Sequence, residues 1–555
     1  MQQDLVFAPL GGVGEIGMNL SLYGLGNDRR RNWLAVDLGV SFASEEHLPG
    51  VDLIFPDIRF LIKERKNLAG IVLTHAHEDH FGALIDLWPK LKVPIYATPF
   101  TAALLESKRV AEPGAPEMPV NIVPLGSRFT VGAFDIELVS VAHSIPESNA
   151  LILRTPHGNV LHTGDWKIDP TPVIGLPTDE AKLRKLGEEG ALAIVGDSTN
   201  AVREGRSPSE KDVAQTLREL IAAAPARVAV TTFASNVARI RAVADAARAV
   251  GREVVVVGRS MERVIGVARE TGYLDGVQPF RGTDTYGYLP PDKVVALCTG
   301  SQGEPRAALS RIARDDHPEV TLGKGDTVIF SSRTIPGNEK EVGGVVNGLI
   351  NQNITVITDR THLVHVSGHP RRAELEELIG WVKPQILVPV HGEALHLSEH
   401  AALGRKLGIK HVLRCRNGDV VTLAPGAPSV AIGELPAGRM YKDGKLLISG
   451  ESATISERRR LSFGGMVFVA LAVTDKGVLA ADPEIELQGI PEHAANGELL
   501  SDIAYNAALD TVENMPKQRR RDPDMVAEAV RRAVRASIAM HWGKKPVCHV
   551  HVLTV

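Results

Sequence analysis

The sequence contains few cysteines and few aromatic residues, and it has no long apolar run. Its 555 residues include three cysteines, Cys298, Cys415 and Cys548, which are far apart and show no CxxC spacing. This pattern argues against a disulfide framework and favours a reducing, cytoplasmic setting. No apolar stretch approaches the ~20 residues of a membrane span, and the N-terminus lacks the basic and apolar segments of a secretory signal. We therefore expect a cytoplasmic protein without a membrane partner.

Charge and composition narrow the class of protein further. The net charge is −4, which argues against a protein that coats nucleic acids through a general positive charge but leaves room for a local basic groove. Because 44% of the residues are apolar and only 5% are aromatic, the cores should consist of aliphatic side chains. The length predicts three or four domains at ~150 residues each.

The pattern of predicted elements changes along the chain. Short β-forming runs separated by turns fill residues 1–207, and strands alternate with helices over 208–352, which indicates a parallel α/β sheet. Residues 353–424 return to short α/β units. The Pro- and Gly-rich residues 425–455 are typical of a linker, and 456–555 contain two or three strands and a helix.

A glycine motif near the N-terminus suggests one function that its context contradicts. Gly12, Gly14 and Gly17 form G-x-G-x-x-G after a strand, and Asp37 lies 20 residues further on. This spacing matches a dinucleotide-binding fingerprint, but that motif must open a helix. The residues after Gly17 instead alternate with a period of two around a Gly-Asn-Asp turn, which is typical of a hairpin. We therefore interpret these glycines as a tight connection between strands.

The stretch THAHEDH, residues 74–80, crowds three histidines and two acidic residues directly after a strand-like run. His75 and His77, two residues apart on an extended segment, can face one ion. Asp79 and His80, at the turn into a helix, can face a second. Neutral imidazole and carboxylate groups are suitable ligands for Zn²⁺, so a metal site explains this crowding better than a polar loop does.

Three further apolar strands end in a residue that binds metals well, namely His143, Asp165 and His391. Any one of them alone could be a packed structural residue. All three occupy the same kind of position, so we expect them to complete the coordination of the ions. His162 lies close to Asp165 in a strand, and we interpret it as structural.

Motifs at these positions carry a family resemblance: DLG at 37–39, THAHEDH at 74–80, AHSIPES at 142–148, TGDWKID at 163–169 and VHGE at 390–393. Together they resemble the metallo-β-lactamase fold, and the block inserted between Asp165 and His391 resembles its β-CASP nuclease branch. The motifs GDSTNA, TTFASN, GRSM, TGSQGEP, SRTIPGNE and HVSGHP narrow the similarity to the ribonuclease J family, over about residues 5–555. Ala76 stands where the family often has glycine and Trp166 where it often has phenylalanine, and neither removes a ligand.

The resemblance implies an α/β fold with three parts. These are a metallo-β-lactamase αββα sandwich (1–207 and 353–424), an inserted β-CASP parallel α/β domain (208–352) and, after the linker 425–455, a small C-terminal α/β domain (456–555) that supports oligomerisation.

The resemblance also implies two Zn²⁺ per chain, with Mn²⁺ or Mg²⁺ as alternatives in turnover. It assigns one ion to His75, His77 and His143, the other to Asp79, His80 and His391, and makes Asp165 the bridge between them. Asp37 would orient a ligand histidine from outside the coordination sphere.

The implied reaction is the hydrolysis of a phosphodiester. Two zinc ions can share a hydroxide that acts as the nucleophile at neutral pH. The resemblance assigns protonation of the leaving 3′ oxygen to Asp197 and His369, which join Asp79 and Asp165 as predicted catalytic residues. From the residues alone, Asp197 would be a helix or turn cap and His369 a packed turn residue.

Ribonuclease J enzymes recognise a 5′ monophosphate and degrade RNA in the 5′→3′ direction, with endonucleolytic cuts as well, in RNA maturation, rRNA processing and mRNA decay. The phosphate pocket needs small donors and cationic imidazoles, and the resemblance places it at Ser235, His365, Ser367 and His369, with Ser332 as a weaker candidate. Expected partners are single-stranded RNA with a 5′ monophosphate, further copies of the chain in a homodimer or homotetramer, and an RNA-decay complex.

Four basic clusters could contact RNA, although such runs are usually solvated faces: Arg29–Arg31, Arg371–Arg372, Arg458–Arg460 and Lys517–Arg521.

Three alternatives to a ribonuclease remain. A hydrolase of small esters would not need the inserted domain, and a catalytically silent RNA-binding subunit would be expected to lack ligands that are all present. A DNA-directed nuclease is less compatible with the contexts HVSGHP and TGSQGEP.

Overall fold

The computed structural model describes residues 3–27, 30–43 and 48–555. The chain forms two compact units, Met1–Ser41 with Ile54–Met440 and Phe42–Leu53 with Tyr441–Val555. Within the described residues, no helix combines the length and the apolar character needed to cross a membrane.

The first 200 residues of the chain are rich in strands. Their strands are β1 (Asp4–Gly11), β2 (Leu20–Asn27), β3 (Arg30–Val36), β4 (Ser41–Phe42), β5 (Leu53–Pro56), β6 (Leu68–Val72), β7 (Ile95–Ala97), β8 (Val120–Ile122), β9 (Arg128–Val131), β10 (Phe134–Ser140), β11 (Asn149–Thr155), β12 (Gly158–His162) and β13 (Ala191–Asp197). Their helices are α1 (Arg59–Glu64), α2 (Glu78–Phe81), α3 (Leu84–Leu91), α4 (Pro99–Ala111) and α5 (Glu180–Glu189).

Helices and strands then alternate along the chain. The elements are α6 (Glu210–Ala223), β14 (Val228–Thr231), α7 (Val237–Ala249), β15 (Glu253–Val257), α8 (Arg259–Glu270), β16 (Val294–Cys298), α9 (Ala308–Ala313), β17 (Thr327–Phe330), α10 (Glu339–Asn351) and β18 (Thr355–Ile357). They are followed by α11 (Arg372–Val382), β19 (Ile386–Val390), α12 (Ala394–Lys406), β20 (His411–Val412), β21 (Val420–Ala424) and β22 (Ser429–Ala431).

Two large sheets form the sandwich of the larger unit. One has the strand order β22-β21-β1-β2-β3-β6-β7-β8 and the other β20-β19-β13-β12-β11-β10-β9. Aliphatic side chains of both sheets, such as Leu5, Val36, Leu151 and Val388, share one buried core. A second core packs Leu186 of α5 and Leu378 of α11 with the seven-stranded sheet. This is the expected sandwich of two sheets with helices outside, and the sparse aromatic content fits its aliphatic cores.

The inserted block forms a separate parallel sheet with the order β15-β16-β14-β17-β18. Its last strand, Thr355–Ile357, lies beyond the predicted boundary at 352. The insertion leaves the sandwich after β13 and returns before β19, and these two strands pair in parallel, with Asp197 opposite Val390. Residues almost two hundred positions apart are thereby brought side by side at one edge of the sandwich.

The helix after residue 207 begins two residues later than the sequence suggests. The pattern predicts Ser207 as N-cap with Glu210 three residues on, but Ser209 is the N-cap and forms a capping box with Asp212. Ser207 is unavailable because its N–H donates to Glu374 and its hydroxyl to the carbonyl of His369. Glu210 instead faces the guanidinium of Arg239 at 3.0 Å.

The glycine motif is the predicted strand connection. β1 and β2 pair antiparallel on either side of it, and β2 and β3 form the following hairpin. Gly12, Gly14 and Gly17 all have positive φ angles, which glycine adopts without strain. The dinucleotide interpretation is excluded because no helix follows the motif.

The segment predicted as a linker, 425–455, contains short strands separated by glycine and proline turns. These are β22, β23 (Arg439–Asp443) and β24 (Leu446–Ser449). In the smaller unit, α13 (Ala453–Gly464), β25 (Met466–Val473), β26 (Glu484–Gln488), α14 (Leu500–Asn514), α15 (Lys517–Arg520), α16 (Pro523–Trp542) and β27 (Val547–Thr554) follow. The order β26-β25-β27 forms a sheet whose core includes apolar residues of α14 and α16.

Candidate metal centre

The predicted ligands meet at one edge of the sandwich, beyond the carboxyl ends of strands from both sheets. His75 follows β6, Asp165 follows β12 and His391 follows β19. His143 follows β10, and the turn after His77 leads into α2, which carries Asp79 and His80. The fold therefore brings all seven predicted ligands together.

Four ligand atoms form the first group: Nε2 of His75, Nδ1 of His77, Nε2 of His143 and a carboxylate oxygen of Asp165. Nδ1 of His77 lies 3.0 Å from Nε2 of His75 and 3.0 Å from Nε2 of His143. Oδ2 of Asp165 lies 3.8 Å from His75 and 3.7 Å from His143.

The second group combines Asp79, His80, Asp165 and His391. Nε2 of His80 lies 3.3 Å from Oδ2 of Asp165 and 3.6 Å from Oδ2 of Asp79. Nε2 of His391 lies 3.9 Å from the same oxygen of Asp79. Asp165 therefore belongs to both groups.

Polar atoms without partners show that this donor set fits metal ions. Among the described residues, Oδ1 of Asp165 and Nε2 of His391 are buried and have no hydrogen-bond partner, which is costly unless a ligand binds them. Ring nitrogens of the three imidazoles in the first group lie within 3.0 Å of one another through His77, as ligands of one ion would. Imidazole and carboxylate ligands in this arrangement suit zinc.

The electrostatics keep the three imidazoles of the first group and the carboxylate of Asp165 ready to donate lone pairs, whereas Asp165, Asp79 and Asp37 outweigh burial and raise the pKa of His80. Burial lowers the pKa of His75 and of His143 well below the ordinary value, and it lowers the pKa of His77 to about 4. Burial alone would raise the pKa of Asp165, but the nearby His391 and His80 outweigh it and hold that pKa well below its usual range. Neutral imidazoles and an ionised carboxylate are the forms that bind cations.

Asp37 fixes the orientation of His80. Its carboxylate lies 2.7 Å from Nδ1 of His80 and accepts hydrogen bonds from the backbone N–H and the hydroxyl of Thr74, both at 2.8 Å. Since a carboxylate only accepts, His80 donates from Nδ1, and its Nε2, 3.1 Å from Nδ2 of Asn19, faces the second group. Asp37 has φ 64° and His391 φ 50°, a left-handed backbone that costs about 1–2 kcal/mol per residue.

Replacing Asp37 with alanine should lower the affinity for the metal about 10- to 100-fold, because His80 loses the partner that fixes its tautomer. Competition with a chelator, followed by metal analysis of the protein, measures this loss. The matched control is Asp57→Ala, which removes another buried carboxylate, one that binds Arg59 instead. Equal metal retention by both variants would show that Asp37 does not orient a ligand.

Asn19 is a further residue of the site that sequence reasoning missed. Its Oδ1 accepts a hydrogen bond from Nδ1 of His391 at 3.0 Å, and its Nδ2 donates to the carbonyl of Asp79 at 3.0 Å. The glycine loop also holds the backbone of His391, because the N–H of His391 donates to the carbonyl of Gly12 at 2.8 Å. A Cβ at Gly12 would collide with the Asn19 side chain.

Gly368 fixes the orientation of the His143 imidazole. Its carbonyl accepts a hydrogen bond from Nδ1 of His143 at 2.7 Å, which leaves Nε2 facing the first group. A Cβ on Gly368 would collide with this imidazole. The motif HVSGH therefore needs glycine here for close approach to a ligand.

The predicted carboxylate–imidazole pair is formed at the edge of the centre. Nδ1 of His369 lies 2.8 Å from Oδ2 of Asp197 and 3.8 Å from Oδ2 of Asp165. Burial lowers the pKa of His369, but Asp197 and Asp165 outweigh it and raise the pKa to about 9. This raised pKa favours the protonated form of His369, whose ring lies beside the carboxylate of Asp165.

The candidates for the phosphate pocket are partly connected in the structure. Oγ of Ser367 accepts a hydrogen bond from Nδ2 of Asn200 at 2.9 Å, and Asn200 also donates to the carbonyl of His369. Nδ1 of His365 is buried without a partner among the described residues, and Ser332 is buried. Ser235 lies just before α7, where its carbonyl accepts from the N–H of Val237 at 2.9 Å.

The basic clusters differ in how they are paired. Arg29 lies outside the described residues, and Arg31 forms an ion pair with Asp4 at 2.7 Å. Arg458 pairs with Asp443, and Arg520 donates to backbone carbonyls near the end of α14.

His162 has a structural contact, as the sequence suggests. The hydroxyl of Tyr23 lies 3.0 Å from its Nδ1, and both side chains are buried.

The two-sheet sandwich and its two metal-ligand groups define a metallo-hydrolase of the metallo-β-lactamase class. Family models agree: a beta-lactamase superfamily domain matches residues 34–183, and a Zn-dependent metallo-hydrolase RNA specificity domain matches 353–414. The ribonuclease J beta-CASP domain matches 225–349 and the ribonuclease J C-terminal domain 453–555.

Curated relatives identify the family. The chain is 56% identical to ribonuclease J of Sinorhizobium meliloti over 553 residues, covering 100% of this chain and 98% of that protein. It is 38% identical to ribonuclease J of Mycolicibacterium smegmatis, covering 97% and 95% of the two chains. The chain therefore belongs to the ribonuclease J family, and with it to the metal-dependent nucleases.

A solved structure supports the fold alone. It is the crystal structure of a protein of unknown function from Enterococcus faecalis, with a TM-score of 0.53 and 17% identity. The match covers 76% of this chain and 100% of that one.

Proposed function

We propose that this chain degrades RNA from a 5′-monophosphorylated end in the 5′→3′ direction, and also cuts internally, with two Zn²⁺ per chain. The observation that carries this proposal is the shared carboxylate of Asp165 within two ligand groups, directly beside the Asp197–His369 pair. Such a centre suits the in-line displacement of one phosphodiester oxygen by another.

Each residue of the centre has a separate task. Bound ions supply an activated water and offset the negative charge of the phosphodiester. The six ligands other than Asp165 divide between the two sites, and Asn19, Asp37 and Gly368 orient three of the imidazoles. Because Nδ1 of His369 is bonded to Asp197, its Nε2 is free to donate a proton to the leaving 3′ oxygen.

The 5′ phosphate would bind next to this proton donor. Ser367 and His369 lie on one segment that Asn200 ties to the strand end bearing Asp197. Burial and the charges of Arg239, Arg333 and Lys167 hold the pKa of His365 well below its ordinary value, so this imidazole would act as a neutral donor and not as the cation expected from the sequence. A terminal phosphate fixed here sets which bond reaches the ions, since phosphate contacts position a nucleic acid.

The test follows two internally labelled RNAs of one sequence, with a 5′ monophosphate or a 5′ triphosphate, during digestion by the purified protein. Mononucleotides should appear at least about tenfold faster from the monophosphorylated RNA. The triphosphorylated RNA would lose or misplace the charge-assisted hydrogen bonds to its terminal phosphate. His77→Ala should abolish this release. Equal rates on both RNAs would overturn the 5′ pocket. Failure to cut either RNA by a metal-loaded protein would favour a hydrolase of another substrate or a silent RNA-binding subunit.

We also infer a homodimer or homotetramer, as the resemblance implies for chains with this C-terminal domain. Sedimentation of the full chain tests this inference, and a monomer at micromolar concentration would contradict it.

A further inference from the structure

Three arginines outside the metal-ligand groups adjoin the segment 365–369. Arg333 lies in the motif SRTIPGNE, and Arg371 belongs to one of the basic clusters found in the sequence. Arg203 lies in the loop after Asp197, Arg371 follows His369 by two residues, and Arg333 comes from the inserted domain, directly after Ser332. All three are half-buried. We refer to Arg203, Arg333 and Arg371 as the arginine cluster.

The backbone holds two members of the cluster side by side. The carbonyl of Arg203 accepts a hydrogen bond from the N–H of Arg372 at 3.0 Å. The same loop is tied to the helix α11 by the N–H of Ser207, which donates to Glu374 at 2.9 Å. The third member is fixed from the inserted domain, where Nε2 of Gln302 donates to the carbonyl of Arg333 at 2.9 Å.

The cluster has little negative charge to balance it. Among the described residues, Arg203 and Arg371 have no ion-pair partner, and Nε of Arg371 is buried without any hydrogen-bond partner. Arg333 has one partner, Asp359, at 3.4 Å. Neighbouring Arg372, in contrast, pairs with Glu204 at 3.2 Å and Glu399 at 3.0 Å.

The positive charges of the cluster repel one another. Burial and then the charges of Arg333 and Arg371 lower the pKa of Arg203, with Asp359 opposing them. Holding like charges together without counter-charges is unfavourable. Guanidinium groups in such a place match the bidentate geometry of phosphate oxygens.

We propose that the arginine cluster is a phosphate-binding subsite that holds one phosphate of the RNA substrate beside the catalytic segment 365–369. The proposal rests on the proposed function, since it assigns a further contact of the same substrate. The bound group is either an internal phosphodiester or a 5′-terminal phosphate, because both present the same kind of oxygens to the guanidinium groups.

The test measures binding of phosphorothioate RNAs that resist cleavage, at several salt concentrations, to the metal-loaded protein. Three RNAs of one sequence carry a 5′ hydroxyl, a 5′ monophosphate or a 5′ triphosphate. Arg333→Ala and Arg371→Ala should each weaken binding about tenfold and reduce the slope of log Kd against log salt by about 0.7. Arg371→Lys should keep the slope and lose part of the affinity, because it retains the charge without the fork.

The matched control is Arg218→Ala, which removes an exposed arginine of α6 and should change neither quantity. A loss that is equal on all three RNAs assigns the subsite to an internal phosphodiester, and a loss confined to the phosphorylated RNAs assigns it to the 5′ end. Wild-type affinity and slope in both alanine variants, with a wild-type protein that still cleaves RNA, would overturn the subsite alone. A wild-type protein that neither binds nor cleaves RNA would overturn the proposed function as well.

Discussion

Replacing Asp165 with asparagine should reduce kcat on RNA by about three orders of magnitude or more, because stabilisation by bound ions contributes several kcal/mol. The carboxylate of Asp165 is the one group shared by both ligand sets, and it is 3% exposed. An amide offers one oxygen instead of two and carries no charge, so two dications would face each other with less compensation. Metal analysis of the purified variant should show fewer than two ions per chain.

The control for this prediction is Asp326→Asn, which alters a buried carboxylate in the inserted domain. Asp326 accepts hydrogen bonds from the N–H groups of Arg227 and Gly323, both at 2.9 Å. Loss of stability without loss of metal is expected there. The bridging role would be refuted by an Asp165→Asn protein that retains two ions and stays within tenfold of wild-type kcat.

The ligands of the metal centre could be found from the sequence because they follow recognisable strands or crowd into the turn after one of them. His75, Asp165 and His391 end apolar runs, and a sandwich gathers such ends at one edge. The local sequence was sufficient for this inference, because apolar periodicity is the main sequence signal of a strand. The order of strands in each sheet, by contrast, depends on pairing across the insertion, such as β13 with β19.

The residues that orient the ligands could not be found in this way. Asn19 is 372 positions from His391, and Gly368 is 225 positions from His143. No local pattern distinguishes an asparagine that orients a ligand from any other asparagine before a strand, or such a glycine from any other glycine in a turn. The helix start at Ser209 was missed for a related reason, because Glu374, far along the chain, occupies the N–H of Ser207.

A buried charge network beside the centre was also beyond sequence reasoning. Lys167 pairs with Asp169 at 3.0 Å, and Arg239 of α7 pairs with Glu210 at 3.0 Å. Arg239 also donates to the carbonyl of Val364 at 2.8 Å, next to His365. This network joins the sandwich, the inserted domain and the segment 365–369, so the proposed phosphate pocket is fixed to both domains.

Asp197→Asn and His369→Gln should each lower kcat on RNA by about 10²–10⁴-fold while leaving the metal content unchanged, as expected for loss of a proton donor. In the first variant His369 loses the carboxylate, 2.8 Å away, that stabilises its protonated form. The kcat of the double variant should be no lower than that of the less active single variant, because the pair acts as a unit.

A phosphodiester with a p-nitrophenolate leaving group distinguishes proton donation from other roles of this pair. Such a leaving group departs without protonation, so both variants should hydrolyse it within a few-fold of the wild-type rate. Equal losses on RNA and on the activated ester would mean that Asp197 and His369 position the ions or the substrate instead. Retention of the activated reaction alone would assign the proton to His369, since its Nδ1 is already bound to Asp197 and Nε2 is the remaining donor.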